Sequence, residues 1–255
     1  KSENSALQST YVSGVSNFKI TIFYYGWLNT SNVLDLRFDI LVFGGADGIE
    51  LLYDVVNELR RRNVEVYAYL HDGDIPIGLG SSFNVTVVVG GQDVSAWVDY
   101  IKGLINKYVG IVDGDFFNEC DPSYFGTVDP DIIIFNYLAA LEELAKYAHS
   151  KGLKVFINGV RAYADLGDYY LWENFVALYD DTNGYYLDAN FFNTSNENPY
   201  DWINRIAKYN YLKSHNLLNK TIALSFANLS TLDNAKYSYY MARILGLTGW
   251  GFSPI

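Results

Sequence analysis

Short apolar and aromatic runs alternate with longer amphipathic stretches along most of the chain, and this alternation constrains its fold more than any other feature. Strands that are joined through helices lie parallel in one sheet. We predict eight strands, at residues 18–27, 40–46, 64–70, 111–118, 154–158, 184–191, 221–227 and 248–253. Eight strands with helices between them are the number that closes a (β/α)8 barrel, or TIM barrel.

The stretches between these runs carry helix signals. We predict helices at residues 49–62, 94–108, 129–150, 200–215 and from 230 or 231 to 245, with a less regular helical stretch at 166–179. Asp129-Pro130 is a good start signal, because proline suits the first helical position after an Asp cap. Residues 71–91 form an insertion after the third strand, and residues 1–17 form a polar N-terminal segment.

The length of 255 residues suits a single barrel domain spanning residues 1–255. The alternative is an open, doubly wound sheet. That fold is disfavoured because no Gly-x-Gly-x-x-Gly loop follows the first strand.

The charge of the chain narrows the class of partner. The formal net charge of −11 argues against nucleic acid, since phosphate binding needs clustered Lys and Arg. The only basic run, residues 60–62, lies near the end of a predicted helix, where it complements the helix dipole. No apolar run reaches the length of a membrane span. The three histidines are dispersed and Cys120 is the only cysteine, so we predict no metal and no cofactor.

Five N-glycosylation triplets favour export, and we predict a secreted or cell-surface glycoprotein. The triplets begin at Asn29, Asn84, Asn193, Asn219 and Asn228. The polar residues 1–10 are typical of a mature end left after removal of a signal peptide. The sequence leaves the oligomeric state open.

The active site of such a barrel lies at the C-terminal ends of its strands. The residues predicted there are Tyr24, Tyr25, Trp27, Asp47, Tyr69, His71, Asp72, Asp115, Asn118, Glu119, Asn158, Arg161, Asp188, Asn190, Ser225, Asn228 and Trp250. This set is rich in carboxylates and aromatic rings, a combination that suits sugar binding and two-carboxylate hydrolysis of a glycosidic bond.

Within this set we assign roles. Glu119 is the predicted general acid/base, Asp188 the second carboxylate, and Asp115 a further catalytic candidate. The predicted substrate-binding residues are Tyr25, Tyr69, His71, Asn118, Asn158 and Trp250.

Each assignment has a structural alternative. Asp115 alternates with Phe116, so one of the two faces inward, and Asp115 is then either catalytic or an interior polar residue. Glu119 is alternatively a rim residue or a cap, and a similar structural role is the alternative for Asp188. His71 is alternatively an ordinary loop residue. Cys120 is interpreted as a residue that packs in the core, and not as a nucleophile.

The fourth predicted strand also carries a family resemblance. Residues 112–119, VDGDFFNE, resemble the DG(I/V)FFDE strand of spherulin-4-like barrels and, more distantly, of endo-α-1,4-polygalactosaminidase-type glycoside hydrolases. Residues 154–159, KVFING, and residues 66–70 with Tyr67 and Tyr69 are similar to that family's fifth and third strands. The similarity spans residues 18–254. It implies hydrolysis of an extracellular polysaccharide, including one that contains amino sugars.

The chain departs from that family at two positions. The family's Asp-Glu pair maps onto Asn118 and Glu119, and a later acidic residue maps onto Asp188. Asn118 cannot serve as a general acid or a nucleophile. The usual Asn-Pro-Gly is also absent, because Val160 follows Gly159.

Two function hypotheses therefore remain. The first is a secreted glycoside hydrolase. The second is a non-catalytic cell-surface glycoprotein that uses the barrel for carbohydrate binding or assembly. A barrel enzyme for a phosphorylated metabolite is weaker, because only Gly249 and Gly251 offer a glycine cradle in the last loops.

Overall fold

The computed structural model describes residues 17–24, 33–44, 53–71, 95–120, 130–180, 184–187, 199–226 and 232–253. Within them, eight parallel strands close into a barrel in the order β1-β2-β3-β4-β5-β6-β9-β10. Their bounds are β1 Lys19–Tyr24, β2 Ile40–Gly44, β3 Glu65–His71, β4 Gly114–Cys120, β5 Lys154–Gly159, β6 Tyr169–Trp172, β9 Thr221–Phe226 and β10 Gly249–Ser253. The predicted TIM-barrel fold is confirmed.

Helices lie between the strands on the outside of the barrel. They are α1 Tyr53–Arg61, α2 Ser95–Tyr108, α3 Pro130–Ser150, α4 Pro199–Ser214 and α5 Leu232–Ile244. These five agree with the helices predicted at the same places to within a few residues. None of the helices in these ranges is long and apolar enough to cross a bilayer.

Strand alternation divides the apolar residues into two cores. One fills the lumen and is dominated by rings, with Phe116 and Phe156 meeting edge to face at 5.1 Å between ring centroids. The other, larger core lies between the strands and the helices and contains Phe117 and Val155. Phe116 therefore faces the lumen, whereas its neighbours along β4 face the helices.

The sixth barrel strand was predicted wrongly. Residues 166–179, expected to be helical, contain β6 and also β7, Ala177–Asp180. Residues 184–187 of the predicted sixth strand form β8, Gly184–Leu187, which pairs antiparallel with β7 in a separate two-stranded sheet.

Two physical features explain this error. Tyr170, Leu171 and Trp172 are all buried, and a strand buried on both faces shows no alternation in its sequence. In addition, the connection from β5 to β6 holds only the short 3-10 helix Arg161–Tyr163 rather than a long amphipathic helix.

An ionic cluster lies at the N-terminal end of the lumen, around Glu65 of β3. Lys19 and Lys154 both donate hydrogen bonds to its carboxylate, the latter at 2.9 Å. The hydroxyls of Tyr67 and Tyr169 donate to it at 2.9 and 3.2 Å. Burial alone would raise the pKa of Glu65, but the hydrogen bonds from the two lysines outweigh it and hold the pKa at about 2.

We expect Glu65→Gln to lower the free energy of unfolding by about 2 kcal/mol near pH 7, since the partly buried Lys19 and the more exposed Lys154 lose their counter-charge. The pKa of Glu65 is lowered by folding, so its contribution is complete above its unfolded pKa and is lost as the pH falls towards 2. The difference between the two proteins should therefore shrink below about pH 4.5. Urea unfolding at several pH values checks this, with Glu142→Gln in an exposed helical pair as the control. A constant difference from pH 7 to pH 3 would contradict it.

Candidate active site

Three polar side chains converge at the C-terminal mouth of the barrel. They are Asn118 of β4, Asn158 of β5 and Glu173, which directly follows β6. Asn118 and Asn158 alternate with the lumen residues Phe116 and Phe156, and they are 6% exposed. Three neighbouring strands thus deliver one polar layer above the ring-filled lumen.

Asn158 holds this layer together. Its Nδ2 donates to Oδ1 of Asn118 at 2.8 Å and to Oε2 of Glu173 at 2.9 Å. Oε2 of Glu173 is the acceptor of this hydrogen bond, so Asn158 presents its nitrogen to Glu173. Because the same nitrogen faces Asn118, Asn118 must present its oxygen. One carboxylate therefore fixes the orientation of both amides.

The chain turns sharply after Glu173 and so ends β6 at the mouth. Asn174 has a φ of 50°, in the left-handed region that asparagine tolerates better than most residues. The backbone N–H of Phe175 then donates to the carbonyl of Leu224 on β9 at 3.0 Å. The Phe175 ring packs edge to face against Trp172 at 5.0 Å between centroids. Glu173 is therefore held on a packed turn.

Aromatic rings form the apolar floor beneath the polar layer. Tyr69 of β3 is half-buried and lies 5.5 Å from Phe116 between ring centroids, with the rings tilted by 35°. Phe226 ends β9 in the same lumen cluster. Apolar rings below amides and a carboxylate match a sugar, which has apolar C–H faces and polar hydroxyls.

A group of cations lies behind Glu173, on the helix side of β6. Lys208 of α4 is half-buried, with its ammonium 5.7 and 5.9 Å from the ring centroids of Tyr170 and Trp172. Burial lowers the pKa of Lys208 to about 8. The charge of Glu173 opposes that shift, whereas the charges of Arg161 and Arg205 add to it. Lys208 thus interacts electrostatically with Glu173 and with both guanidinium groups.

The end of β4 is irregular next to the polar layer. The ladder between β4 and β5 shifts register between Phe117 and Cys120, a distortion that is frequent beside active sites. A Cβ at Gly159 would lie 2.2 Å from the carbonyl oxygen of Cys120, so only glycine allows the strands to approach this closely. Cys120 is buried and packs in the outer core. The backbone of Glu119 belongs to this segment, whereas its side chain lies outside the described part.

Asp115 does not reach the mouth. Its ladder partners Ala68 and Val155 belong to the outer core, so its side chain faces the helices rather than the lumen. It is fully buried, and neither carboxyl oxygen has a hydrogen-bond partner among the described residues. Burial raises the pKa of Asp115 to about 8.

Trp250 and Ser225 also face outward. The Trp250 indole donates to the hydroxyl of Ser238 on α5 at 2.9 Å, and Ser225 hydrogen-bonds to the same hydroxyl. Gly251, the neighbour of Trp250, faces the lumen, where a Cβ would lie 2.7 Å from the Phe23 ring. The role predicted for Trp250 in sugar binding thus does not fit its place behind the barrel wall.

Many predicted site residues lie outside the described part of the chain. They are Tyr25, Trp27, Asn29, Asp47, Asp72, Asn84, Asp188, Asn190, Asn193 and Asn228, together with the side chain of His71. Of the glycosylation candidates, Asn219 is described and exposed. No three His, Cys, Asp or Glu side chains gather into a metal site within the described ranges.

Glu173 is not among the site residues predicted from the sequence. The sequence does carry a signal for it, because Glu173 directly follows the apolar run 169–172 and carboxylates at the ends of barrel strands are candidate catalytic groups. With the sixth strand predicted at 184–191, Asp188 takes that place instead.

The described strands thus form a closed (β/α)8 barrel with a polar layer at its C-terminal mouth. No protein-family model matches the chain, and no curated protein matches its sequence. The glycoside hydrolase domain of PelA from Pseudomonas aeruginosa is similar in structure, with a TM-score of 0.69 and 16% identity over 94% of this chain and 96% of that one.

Two further solved structures are similar over nearly the whole barrel. The glycoside hydrolase domain of PgaB (BpsB) from Bordetella bronchiseptica has a TM-score of 0.57 at 11% identity, covering 93% of this chain and 94% of that chain. Ega3 from Aspergillus fumigatus, solved with galactosamine, has a TM-score of 0.54 at 9% identity, covering 97% and 96%. At identities this low, the structural similarity shows a shared fold and no more. The predicted resemblance to glycoside hydrolase barrels is therefore confirmed for the fold, and the spherulin-4-like part of it stays a prediction.

Proposed function

We propose that this protein is a glycoside hydrolase that acts on an extracellular polysaccharide containing amino sugars. The observation that carries the proposal is the Glu173 carboxylate, held by Asn158 above an aromatic floor at the mouth of the barrel. The kind of barrel supports it, since two of the similar structures are glycoside hydrolase domains and a third, Ega3, was solved with galactosamine.

Glu173 is proposed as the general acid/base. Asn158 donates to Oε2, which leaves Oε1 to carry the proton towards the glycosidic oxygen. Asn158 is then a positioning residue, because it fixes the carboxyl plane without touching the reacting atoms. The aromatic floor excludes water from one face of the sugar and strengthens the electrostatic interactions above it.

Two-carboxylate hydrolysis needs a second acidic group, and Glu119 and Asp188 remain the proposed sources. Asn118 and Glu173 both accept a hydrogen bond from Asn158, so the two side chains lie close together at the mouth. Asn118 cannot itself be the second acidic group, because an amide does not ionise.

The amide at position 118 is also the observation that favours the second function, a carbohydrate-binding barrel without catalysis. In both functions the proposed ligand is an oligosaccharide or a polysaccharide, and we keep the secreted or cell-surface location as part of the proposal. The five glycosylation triplets support that location.

Product analysis tests the proposal. The purified protein is incubated with polymers of N-acetylhexosamine and of hexosamine, and released oligosaccharides are identified by mass spectrometry. We expect release from at least one polymer, and Glu119→Gln and Asp188→Asn compared in parallel identify the second carboxylate. If the folded protein binds a polymer without releasing oligosaccharides, the carbohydrate-binding function is favoured. If it neither binds nor releases, both proposed functions are contradicted.

A further inference from the structure

Asn118 retains two N–H donors for which the described residues provide no acceptor. Its Oδ1 accepts from Asn158, and its Nδ2 has no acceptor among the described residues. The side chain lies on the lumen face of β4 and keeps 6% exposure, so it reaches the mouth without being sealed in the core. A ligand in the mouth meets a neutral N–H donor at this position.

The orientation of this donor is fixed rather than adjustable. Rotating the Asn118 amide by 180° would place its nitrogen against Nδ2 of Asn158, two donors facing each other at 2.8 Å. The carboxylate of Glu173 prevents Asn158 from rotating to relieve that clash. The site therefore offers a fixed donor beside Glu173.

The chemistry of this donor favours a neutral partner. An ammonium group has only donors, so it offers no acceptor to the Asn118 nitrogen. An acetamido carbonyl is an acceptor and carries no charge.

We infer that Asn118 is a specificity-determining residue that selects N-acetylated amino sugars over their cationic, de-N-acetylated forms. The selectivity arises because Asn118 donates to the acetamido oxygen while Glu173 lies within reach of the neighbouring glycosidic bond. This inference rests on the proposed function, since it assumes that an amino sugar occupies the mouth.

The sharpest test is Asn118→Asp. Aspartate retains an oxygen that accepts from Asn158, and it exchanges the nitrogen for a second acceptor oxygen in nearly the same volume. Binding of matched N-acetylated and de-N-acetylated tetrasaccharides, in both the gluco and the galacto series, is measured by calorimetry. If the protein hydrolyses a ligand, the kcat/KM values for the N-acetylated and de-N-acetylated members of the pair are compared instead of their affinities.

We expect the native protein to prefer the N-acetylated member of the pair it binds by about tenfold, the size of one well-placed hydrogen bond. Asn118→Asp should abolish or reverse that preference. Asn118→Ala removes the donor without adding charge, and it should weaken binding of the N-acetylated ligand alone. Should the aspartate variant fail to fold, the alanine variant decides the same question.

An equal or stronger affinity of the native protein for the cationic ligands would overturn the inference. Glu173-dependent hydrolysis of a de-N-acetylated polymer would then leave the proposed function in place. If the native protein binds none of the four ligands, the inference is also overturned. The proposed function is then tested separately, by measuring whether the protein hydrolyses longer polymers.

Discussion

Replacing Glu173 with glutamine should lower the rate of glycoside hydrolysis about 10³-fold, within the range for loss of a general acid/base. Glutamine keeps the shape of the side chain and still accepts the hydrogen bond from Asn158, but it has no proton to transfer. The loss should therefore appear in kcat, with a smaller change in KM. Steady-state kinetics on the released oligosaccharides measure both constants.

Glu143→Gln is the matched control for this experiment. Glu143 lies on α3, pairs with Lys102 and is 56% exposed, so the same chemical change falls on the outer helical layer. It should leave kcat within a factor of two. A Glu173→Gln protein as active as this control would remove Glu173 from the mechanism.

Replacing Asp115 with asparagine should stabilise the protein at alkaline pH by several kcal/mol and change its stability little near pH 4. Folding raises the pKa of Asp115 from 3.8 to about 8 because the group is desolvated. The unfolded chain releases this proton near pH 4, whereas the folded protein keeps it. Native stability therefore falls between about pH 4 and pH 8, by an amount on the order of 5 kcal/mol.

Asparagine removes this pH dependence because its side chain does not ionise. Chemical unfolding of both proteins from pH 4 to pH 9 measures the effect as the difference between two curves, so the contributions of other groups cancel. Asp233→Asn is the control, since Asp233 is 94% exposed on α5 and should not alter the slope. A difference that does not grow between pH 5 and pH 8 would show that Asp115 is hydrated or has a partner in solution.

The barrel could be predicted because its strands and helices differ in sequence period. Helix α2 was placed to within one residue, since apolar residues recur along it at helical spacing. Strand β9 was placed equally well, although all six of its residues are buried, because it is bounded by polar residues. These signals are local, so a single sequence reveals them.

The candidate site was harder to predict because it depends on register. Whether Asp115 or Phe116 faces the lumen is decided by how β4 aligns with β3 and β5, and its register shift is invisible in the sequence. The hydrogen bonds of Asn158 join three strands, with partners 40 and 15 residues away. Once β6 was misplaced, Glu173 could not be recognised as a residue at a strand end.

A crystal structure of the Glu173→Gln protein with an amino-sugar tetrasaccharide tests the central claim most directly. The sugar should lie over Tyr69 and Phe116 at the C-terminal mouth. Residue 173 should be within hydrogen-bonding distance of a glycosidic oxygen, and the Asn118 nitrogen should contact an acceptor on the sugar. A tetrasaccharide bound elsewhere on the barrel, with the mouth unoccupied, would contradict the assignment of this mouth as the sugar-processing site.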